Sequence, residues 1–208
     1  MTRPTSIRVL ACALLAGITF PGTSVAQDHA APLAMTAARV SIAGTSNIHE
    51  FTASTTQVTL TRFMLADAVA GPGLLNKIVN PGSLGAFEIV VKAGTLTSPK
   101  EGLDKNMWKA LKTSQHPDIV FTLTRLDGKA GALRAIGLLK IAGVEKEVAF
   151  DLKTAANAST VTVIGEVPLL MTDYGITAPK AMLGMLKTDP KITVTFELVL
   201  AAPQTFTR

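Results

Sequence analysis

Hydrophobic and polar residues alternate with a period of two along most of this chain. The clearest run is 191–200 (KITVTFELVL), where every second side chain is apolar and the residues between are mostly Thr and Glu. The runs 39–42, 87–92 and 119–124 show the same alternation. Such alternation, rich in β-branched and aromatic residues, is typical of strands with one buried face. The pattern predicts a protein built almost wholly from strands.

Turn signals separate these runs. Asp127-Gly128 and Ala142-Gly143 each place turn-forming residues between two apolar stretches. Residues 132–142 and 145–153 are predicted to form a hairpin around Gly143. About eight strands with short turns favour one all-β sandwich or barrel. A closed eight-stranded antiparallel barrel removes exposed edges, turns the apolar faces inward and is wide enough for about one small ligand.

Two segments depart from the strand pattern. Residues 101–113 (EGLDKNMWKALKT) carry apolar side chains at helical spacing, with lysines between them. Residues 178–187 begin with Pro179, which a first helical turn tolerates, and continue with Met182 and Leu183 on one side. Both segments are predicted to be short helices that cap or cross the sheet.

The N-terminus has the features of a secretory signal. A basic start precedes a short apolar run, Val9–Phe20, and small residues follow up to Ala26. The run is shorter than the roughly 20 residues that span a bilayer. We interpret 1–26 as a cleaved signal and 27–38 as a flexible lead-in. The alternative is a lipoprotein signal at Cys12, but this cysteine lies at the start of the apolar run rather than at its end.

Composition narrows the function. Cys12 is the only cysteine, so the mature chain has no disulfide and no thiolate metal ligand. Without Arg3 and Arg8 the mature chain has 18 basic and 15 acidic residues, a net charge of +3. These charges are scattered, whereas nucleic-acid binding needs a clustered basic surface. The sequence therefore predicts one domain, over 39–202, that binds no nucleic acid and has no transmembrane segment after the signal.

Four stretches resemble the YceI-like family of secreted, lipocalin-like, polyisoprenoid-binding proteins, in the order in which that family has them. They are GTSNIHEF (44–51), GLDKNMWKALKTSQHPDIVFTL (102–123), GLLKIAGVEKEV (137–148) and MTDYGITAPKAMLGMLKTDPKITVTFEL (171–198). The resemblance implies an all-β, eight-stranded antiparallel lipocalin-like barrel located in the periplasm. It also implies a long apolar pore that holds an isoprenoid quinone or polyprenyl lipid, without catalysis. The segment 63–86 departs from the pattern, because its alternation is weak.

His49 raises the question of an enzyme, because Thr45, Ser46 and Glu50 lie near it in sequence. In an extended segment Glu50 points to the face opposite His49 and cannot easily orient its ring. The other histidines of the mature chain, His29 and His116, are distant in sequence, and no metal-binding spacing is present. We interpret 44–47 as a turn and predict no catalytic site, no metal and no cofactor.

The residues expected to contact a lipid are apolar side chains on the predicted inner faces and near the pore mouth. Tyr174 either packs in a structural corner or offers a polar group to a ligand headgroup. The methionines either fill gaps in a core or line an adaptable mouth. The predicted set is Phe51, Ile89, Met107, Phe121, Leu123, Phe150, Met171, Tyr174, Met182, Leu183, Val194 and Phe196.

Apolar inner faces suit two kinds of barrel. One has an open pore that carries a lipid, and the other has a filled core and acts as an interaction or stress-related module without a ligand. An enzyme acting on a lipid would need a convergent acid–base set, and the sequence offers none. A homodimer is compatible with either kind of barrel.

Overall fold

The structure is a computed structural model that describes residues 33–66, 74–129, 131–181 and 185–202. Within these ranges the chain forms ten strands, two α-helices and two 3-10 turns, which confirms the all-β class. The helices are α1 Leu74–Ile78 and α2 Glu101–Ala110, and the 3-10 turns are Ala93–Thr95 and Met171–Tyr174. The strands are β1 Ala34–Ser46, β2 Glu50–Thr55, β3 Val58–Leu65, β4 Leu84–Lys92, β5 Asp118–Lys129, β6 Ala132–Ile141, β7 Val144–Ala156, β8 Thr160–Leu170, β9 Lys180–Ala181 and β10 Leu186–Ala201.

The strands form one antiparallel sheet in the order β2-β1-β10-β8-β7-β6-β5-β4-β3, with β9 added to β10. The two outer strands, β2 and β3, follow each other in sequence with only Thr56 and Gln57 between them. Strand β2 pairs with β1, and β3 pairs with β4. One interrupted strand, 50–65, therefore joins the two edges and curls the sheet into a lipocalin-like barrel.

The alternation predicted for the barrel wall is confirmed. In β10, Val194 and Phe196 face the interior, whereas Thr195 and Glu197 are exposed. Strands β6 and β7 form the predicted hairpin, with Ile141 paired to Val144. Apolar burial decides which face turns inward, because a shift of one residue would expose every apolar side chain of a strand.

A helix lies at each end of the barrel. Helix α2 confirms the helix predicted at 101–113, and Trp108 on it donates a 2.8 Å hydrogen bond from Nε1 to the Leu96 carbonyl. At the opposite end, α1 buries Leu74, Leu75 and Ile78. We refer to these as the α2 end and the α1 end.

The helix predicted at 178–187 is wrong. Residues 180–181 and 186–187 form antiparallel strand pairs instead. The Asn47 side chain accepts a hydrogen bond from the Lys187 main-chain N–H at 2.8 Å and donates one to the Met185 carbonyl at 2.8 Å. These long-range bonds compete with a helix that would be marginal at this length. Met182 and Leu183 lie outside the described residues.

Two boundaries also differ from the prediction. Strand β1 begins at Ala34, so residues 34–38 of the supposed flexible lead-in belong to the sheet and pair with β10. The weakly alternating segment 63–86 contains the end of β3, helix α1 and the start of β4. The second helix is therefore α1, and the strand count is ten rather than eight because β2 and β3 are separate and β9 is added.

Candidate functional site

The barrel encloses a main cavity of about 140 Å³. Twenty-four residues line it, and Thr154 is the only one whose side chain carries an oxygen or nitrogen atom. The cavity extends from the middle of the barrel to the α1 end, where Phe63, Ile78 and Leu84 form its wall. The site is therefore a hydrocarbon-walled space without a charged lining residue.

A second, smaller cavity of about 70 Å³ lies at the α2 end. Its fifteen lining residues include Leu111 after α2 and Met171 and Tyr174 from the second 3-10 turn. Tyr174 is the only one of the fifteen whose side chain carries a hydrogen-bond donor. The two cavities meet at a belt of residues that line both, namely Val40, Val91, Ile119, Leu139 and Val194.

Glycines let two phenylalanine rings lie against the barrel wall. Phe196 pairs with Gly165 across β10 and β8, and a Cβ on Gly165 would lie 2.5 Å from the Phe196 Cε1. A Cβ on Gly137 would lie 2.7 Å from the Phe121 Cε2. Both rings occupy the space that a side chain on the neighbouring strand would fill, which leaves room at the barrel centre.

Phe150 lies between these two rings. Its centroid is 5.5 Å from that of Phe121, in a tilted arrangement, and 5.6 Å from that of Phe196, in an edge-to-face arrangement. Aromatic pairs at such distances attract each other beyond their buried area. The three rings form an aromatic cluster on the wall of the main cavity.

Eight residues of the predicted set line one or both cavities: Ile89, Phe121, Leu123, Phe150, Met171, Tyr174, Val194 and Phe196. Phe51 does not, because its ring covers Gly44, where a Cβ would lie 2.5 Å from the Phe51 Cζ. Met107 packs against the core cluster from α2 without lining a cavity. Contact of these residues with a ligand stays a prediction.

Four residues that the sequence did not predict line the main cavity at the α1 end, namely Phe63, Ile78, Val79 and Leu84. All four lie in 63–86, where alternation is weak because a helix interrupts the strands. The spacing of Leu74, Leu75, Ile78 and Val79 follows a helical period and was the signal that could have identified α1.

Tyr174 lies in a tight corner after β8. The Gly175 N–H donates to the Thr172 carbonyl and the Ile176 N–H donates to the Met171 carbonyl, while Gly175 adopts a left-handed conformation with φ of 62°. The Tyr174 side chain is 2% exposed, and its hydroxyl has no hydrogen-bond partner among the described residues. Burial, and secondarily the charge of Asp173, raises the pKa of the Tyr174 hydroxyl to about 12.

The His49 region forms a turn, as predicted, but the turn lies at 46–49 rather than 44–47, because Gly44 and Thr45 belong to β1 and pair with Phe51 and Glu50. The Ser46 hydroxyl donates to the His49 carbonyl at 2.8 Å and accepts from the His49 N–H at 3.1 Å. His49 is exposed, and Glu50 pairs with Thr45 across the hairpin. The ring of His116 packs against Gly143 in the β6–β7 turn. Among the described residues, no three His, Cys, Asp or Glu side chains group together as metal ligands would.

The geometry of an apolar barrel interior agrees with the sequence match. The model of the YceI-like domain family matches residues 50–200. The chain belongs to the YceI-like family. This match extends over nine of the ten strands, from β2 to nearly the end of β10, and so includes most of the cavity wall.

Solved structures share the fold of this YceI-like chain at low sequence identity. BcnA of Burkholderia cenocepacia is 12% identical, with a TM-score of 0.61, and the match covers 78% of this chain and 95% of BcnA. A polyisoprenoid binding domain from Saccharophagus degradans, implicated in plant cell wall breakdown, is 14% identical, with a TM-score of 0.60 and coverage of 84% and 100%. The YceI protein of Campylobacter jejuni is 13% identical, with a TM-score of 0.51 and coverage of 71% and 84%.

No curated protein matches the chain in sequence. The described helices are all too short or too polar to cross a membrane.

Proposed function

We propose that this YceI-like protein is a non-catalytic periplasmic carrier that holds one long apolar lipid, of the isoprenoid quinone or polyprenyl type, in its barrel interior. The observation that carries the proposal is the composition of the cavity walls. Only Thr154 and Tyr174 bring an oxygen atom to the residues that line the two cavities. Removal of apolar surface from water, at about 25 cal/mol per Å², would supply most of the binding free energy.

The cavity volumes require the interior to adapt to such a ligand. An apolar cavity of about 150 Å³ accommodates benzene, so the main cavity of about 140 Å³ has room for a short part of an isoprenoid chain. A longer chain has to pass the belt around Val194 and enter the smaller cavity. Binding therefore moves belt side chains and the phenylalanine rings, and flexible Met171 at the α2 end suits such repacking.

The family relationship supports the same ligand class. The similar domain from Saccharophagus degradans is a polyisoprenoid binding domain, although at 14% identity the similarity shows a shared fold alone. Catalysis lacks support, because the polar side chains nearest the cavities, Thr154 and Tyr174, do not form an acid–base pair.

The periplasmic location rests on the N-terminal segment. Export with cleavage after Ala26 produces a mature protein that begins at Gln27. The intact mass of the protein recovered from the periplasm tests this directly. A diacylated protein that begins at Cys12 would contradict it and support a lipoprotein.

Native mass spectrometry of the purified mature protein tests the carrier function. We expect one bound lipid per chain, which organic extraction removes and whose mass identifies it. The extracted protein, refilled with the same lipid, serves as the control for specific uptake. A protein that arrives without lipid and takes up none would contradict the proposal and support the filled barrel that acts through its surface.

A further inference from the structure

The barrel wall is incomplete at one place, between the start of β1 and strand β3. Strand β2 pairs with β1 only as far as Val40 and Thr55. The chain then bends, because the Val58 N–H donates to the Thr56 carbonyl at 3.0 Å, and β3 continues along β4. Within the described ranges no strand pair joins β1 to β3, and residues 34–39 pair with β10 alone. Along this stretch β1 and β3 therefore each have one edge that no described strand pairs with.

A groove of about 300 Å³ occupies this gap. It is lined by residues 33–35 at the start of β1 and by residues 58–63 of β3. Unlike the two cavities, the groove has a mixed polar and apolar surface, and Thr59, Thr61 and Arg62 in its lining are exposed. The groove is therefore accessible from solvent and offers hydrogen-bonding groups to a ligand.

Phe63 is the side chain that the groove and the barrel interior share, because it lines both the groove and the main cavity. Met35, Leu60 and Phe63 pack together against the buried cluster at the α1 end. Packing of side chains thus separates the groove from the cavity. Opening the wall here requires these side chains to repack, whereas opening it between paired strands would break main-chain hydrogen bonds and leave both partners unsatisfied.

We propose that the groove binds the headgroup of the lipid and that the lipid chain enters the main cavity past Phe63. This inference rests on the proposed carrier function and adds the orientation and the entry route of the ligand. The walls of the two cavities are almost wholly hydrocarbon, so a polar headgroup buried there would lose its hydrogen bonds to water without replacement. In the groove the headgroup retains contact with solvent and meets Thr59, Arg62 and the strand edges.

The volumes of the three spaces agree with this orientation. The groove of about 300 Å³ exceeds the cavity of about 150 Å³ that accommodates benzene, so it has room for a quinone ring or a diphosphate group. The chain extends from the groove through the main cavity and the belt toward the small cavity. Hydrocarbon therefore occupies the enclosed spaces, and the headgroup does not have to pass through them.

The lining indicates a headgroup that accepts hydrogen bonds. Arg62 and the threonine hydroxyls are donors, and Arg62 is the only charged residue that lines the groove. Arg62 also lies opposite Glu88 in the pairing of β3 with β4, which offsets its charge. The acceptor can therefore be a neutral carbonyl oxygen or a phosphate oxygen.

Cysteine alkylation of the delipidated mature protein tests the position of the headgroup. Cys12 is the only cysteine of the chain and precedes Gln27, so Thr59→Cys introduces the only thiol. The probes are a short-chain prenyl benzoquinone with a fully substituted ring, which avoids reaction with the thiol, and a prenyl diphosphate of the same chain length. At ten times the variant's own Kd, a bound probe should slow alkylation by iodoacetamide about 10-fold, because only unoccupied protein reacts.

Thr195→Cys is the matched control, because it places a thiol on the exposed face of β10 and its alkylation should not change. Protection of Thr59→Cys by the quinone alone supports the groove with a neutral headgroup, and protection by the diphosphate alone supports it with an anionic one. If the probes bind and neither protects Thr59→Cys, or if Thr195→Cys is protected equally, the inference is wrong while the carrier function stands. If neither probe binds the parent, the carrier function itself is wrong.

Stopped-flow binding of the same probes tests the entry route. Phe63→Leu should raise both the association and the dissociation rate constants several-fold, because the ring obstructs the path in both directions. Phe121→Leu is the matched control, since Phe121 lines the main cavity from β5, away from the groove. It should change mainly the dissociation rate constant, as expected for a residue that only contacts the bound ligand. An unchanged association rate constant in Phe63→Leu would overturn the entry route.

Discussion

Gly165→Ala tests whether the phenylalanine rings occupy the space that the glycines leave. The new Cβ would lie 2.5 Å from the Phe196 Cε1 and 3.2 Å from the Leu152 Cδ2. Leu152 can yield by a few tenths of an ångström, but the aromatic ring has to turn away from the wall. Because Phe196 lines the main cavity, the ring has room to turn inward. The substitution should therefore reduce the space for a ligand without unfolding the protein.

The expected cost follows from two opposed effects. Forcing extra atoms into a packed wall costs about 1–3 kcal/mol, and the inward room around Phe196 favours the lower part of that range. Replacing glycine within a strand regains about 0.5–1 kcal/mol of backbone entropy. We expect a net loss of about 0–1.5 kcal/mol in the free energy of unfolding. For a domain of this size the melting temperature should fall by at most about 6 °C.

Thermal melting and lipid content of the purified proteins measure both effects. Gly102→Ala is the matched control, because nothing lies within 4 Å of its added Cβ and alanine favours helix α2. The double variant Gly165→Ala with Phe196→Leu removes the ring that clashes. The double variant should lose less free energy of unfolding than the two single variants lose together, as expected for residues in direct contact. Strict additivity, or a Gly165→Ala protein with normal stability and lipid content, would show that the Phe196 ring does not occupy the space beside Gly165.

Three further outcomes are expected. Phe196→Glu should lose lipid and stability but still fold, whereas Thr195→Glu on the exposed face should behave like the parent. Thermal melting and lipid content check both variants. A Phe196→Glu protein that cannot fold would indicate a tightly filled core. His49→Ala should leave fold and lipid occupancy nearly unchanged, and chelators should not alter the melting temperature; a bound transition metal at unit stoichiometry would contradict this. Because the folded-state pKa of Tyr174 is raised to about 12 from an ordinary value near 10, the folded protein holds this proton longer than the unfolded chain does. The parent should therefore lose stability relative to Tyr174→Phe as pH rises from about 10 to 12, by about 1.4 kcal/mol per pH unit. The tyrosinate absorbance of this single tyrosine should show a midpoint at the folded-state pKa of about 12.

The inner wall of the barrel could be predicted from the sequence because period-two alternation is a local property. In β10 the alternation alone placed Val194 and Phe196 on the inner face and Thr195 on the outer one. The same holds for Ile89, Phe121 and Phe150, whose strands each have one apolar face. The β6–β7 hairpin was also predictable, because a glycine between two apolar stretches is a turn signal. In the structure Gly143 adopts the positive φ that glycine permits.

Contacts between distant segments determined the features that the local hydrophobic pattern did not predict. The segment 178–187 has helical spacing, yet Asn47, about 140 positions away, binds the main chain at Met185 and Lys187 and the segment pairs as strands. Phe51 has the character of a lining residue, but Gly44 on the paired strand lets its ring lie outside both cavities.

Tyr174 shows the same division between sequence and tertiary structure. Its sequence context favoured a structural corner over a headgroup contact, and the folded chain contains the corner. Only the packed barrel reveals that its hydroxyl is buried and has no hydrogen-bond partner among the described residues. Periodicity determines which face of an element is apolar, whereas the space left between faces depends on how side chains from several strands meet, and that is a property of the tertiary structure alone.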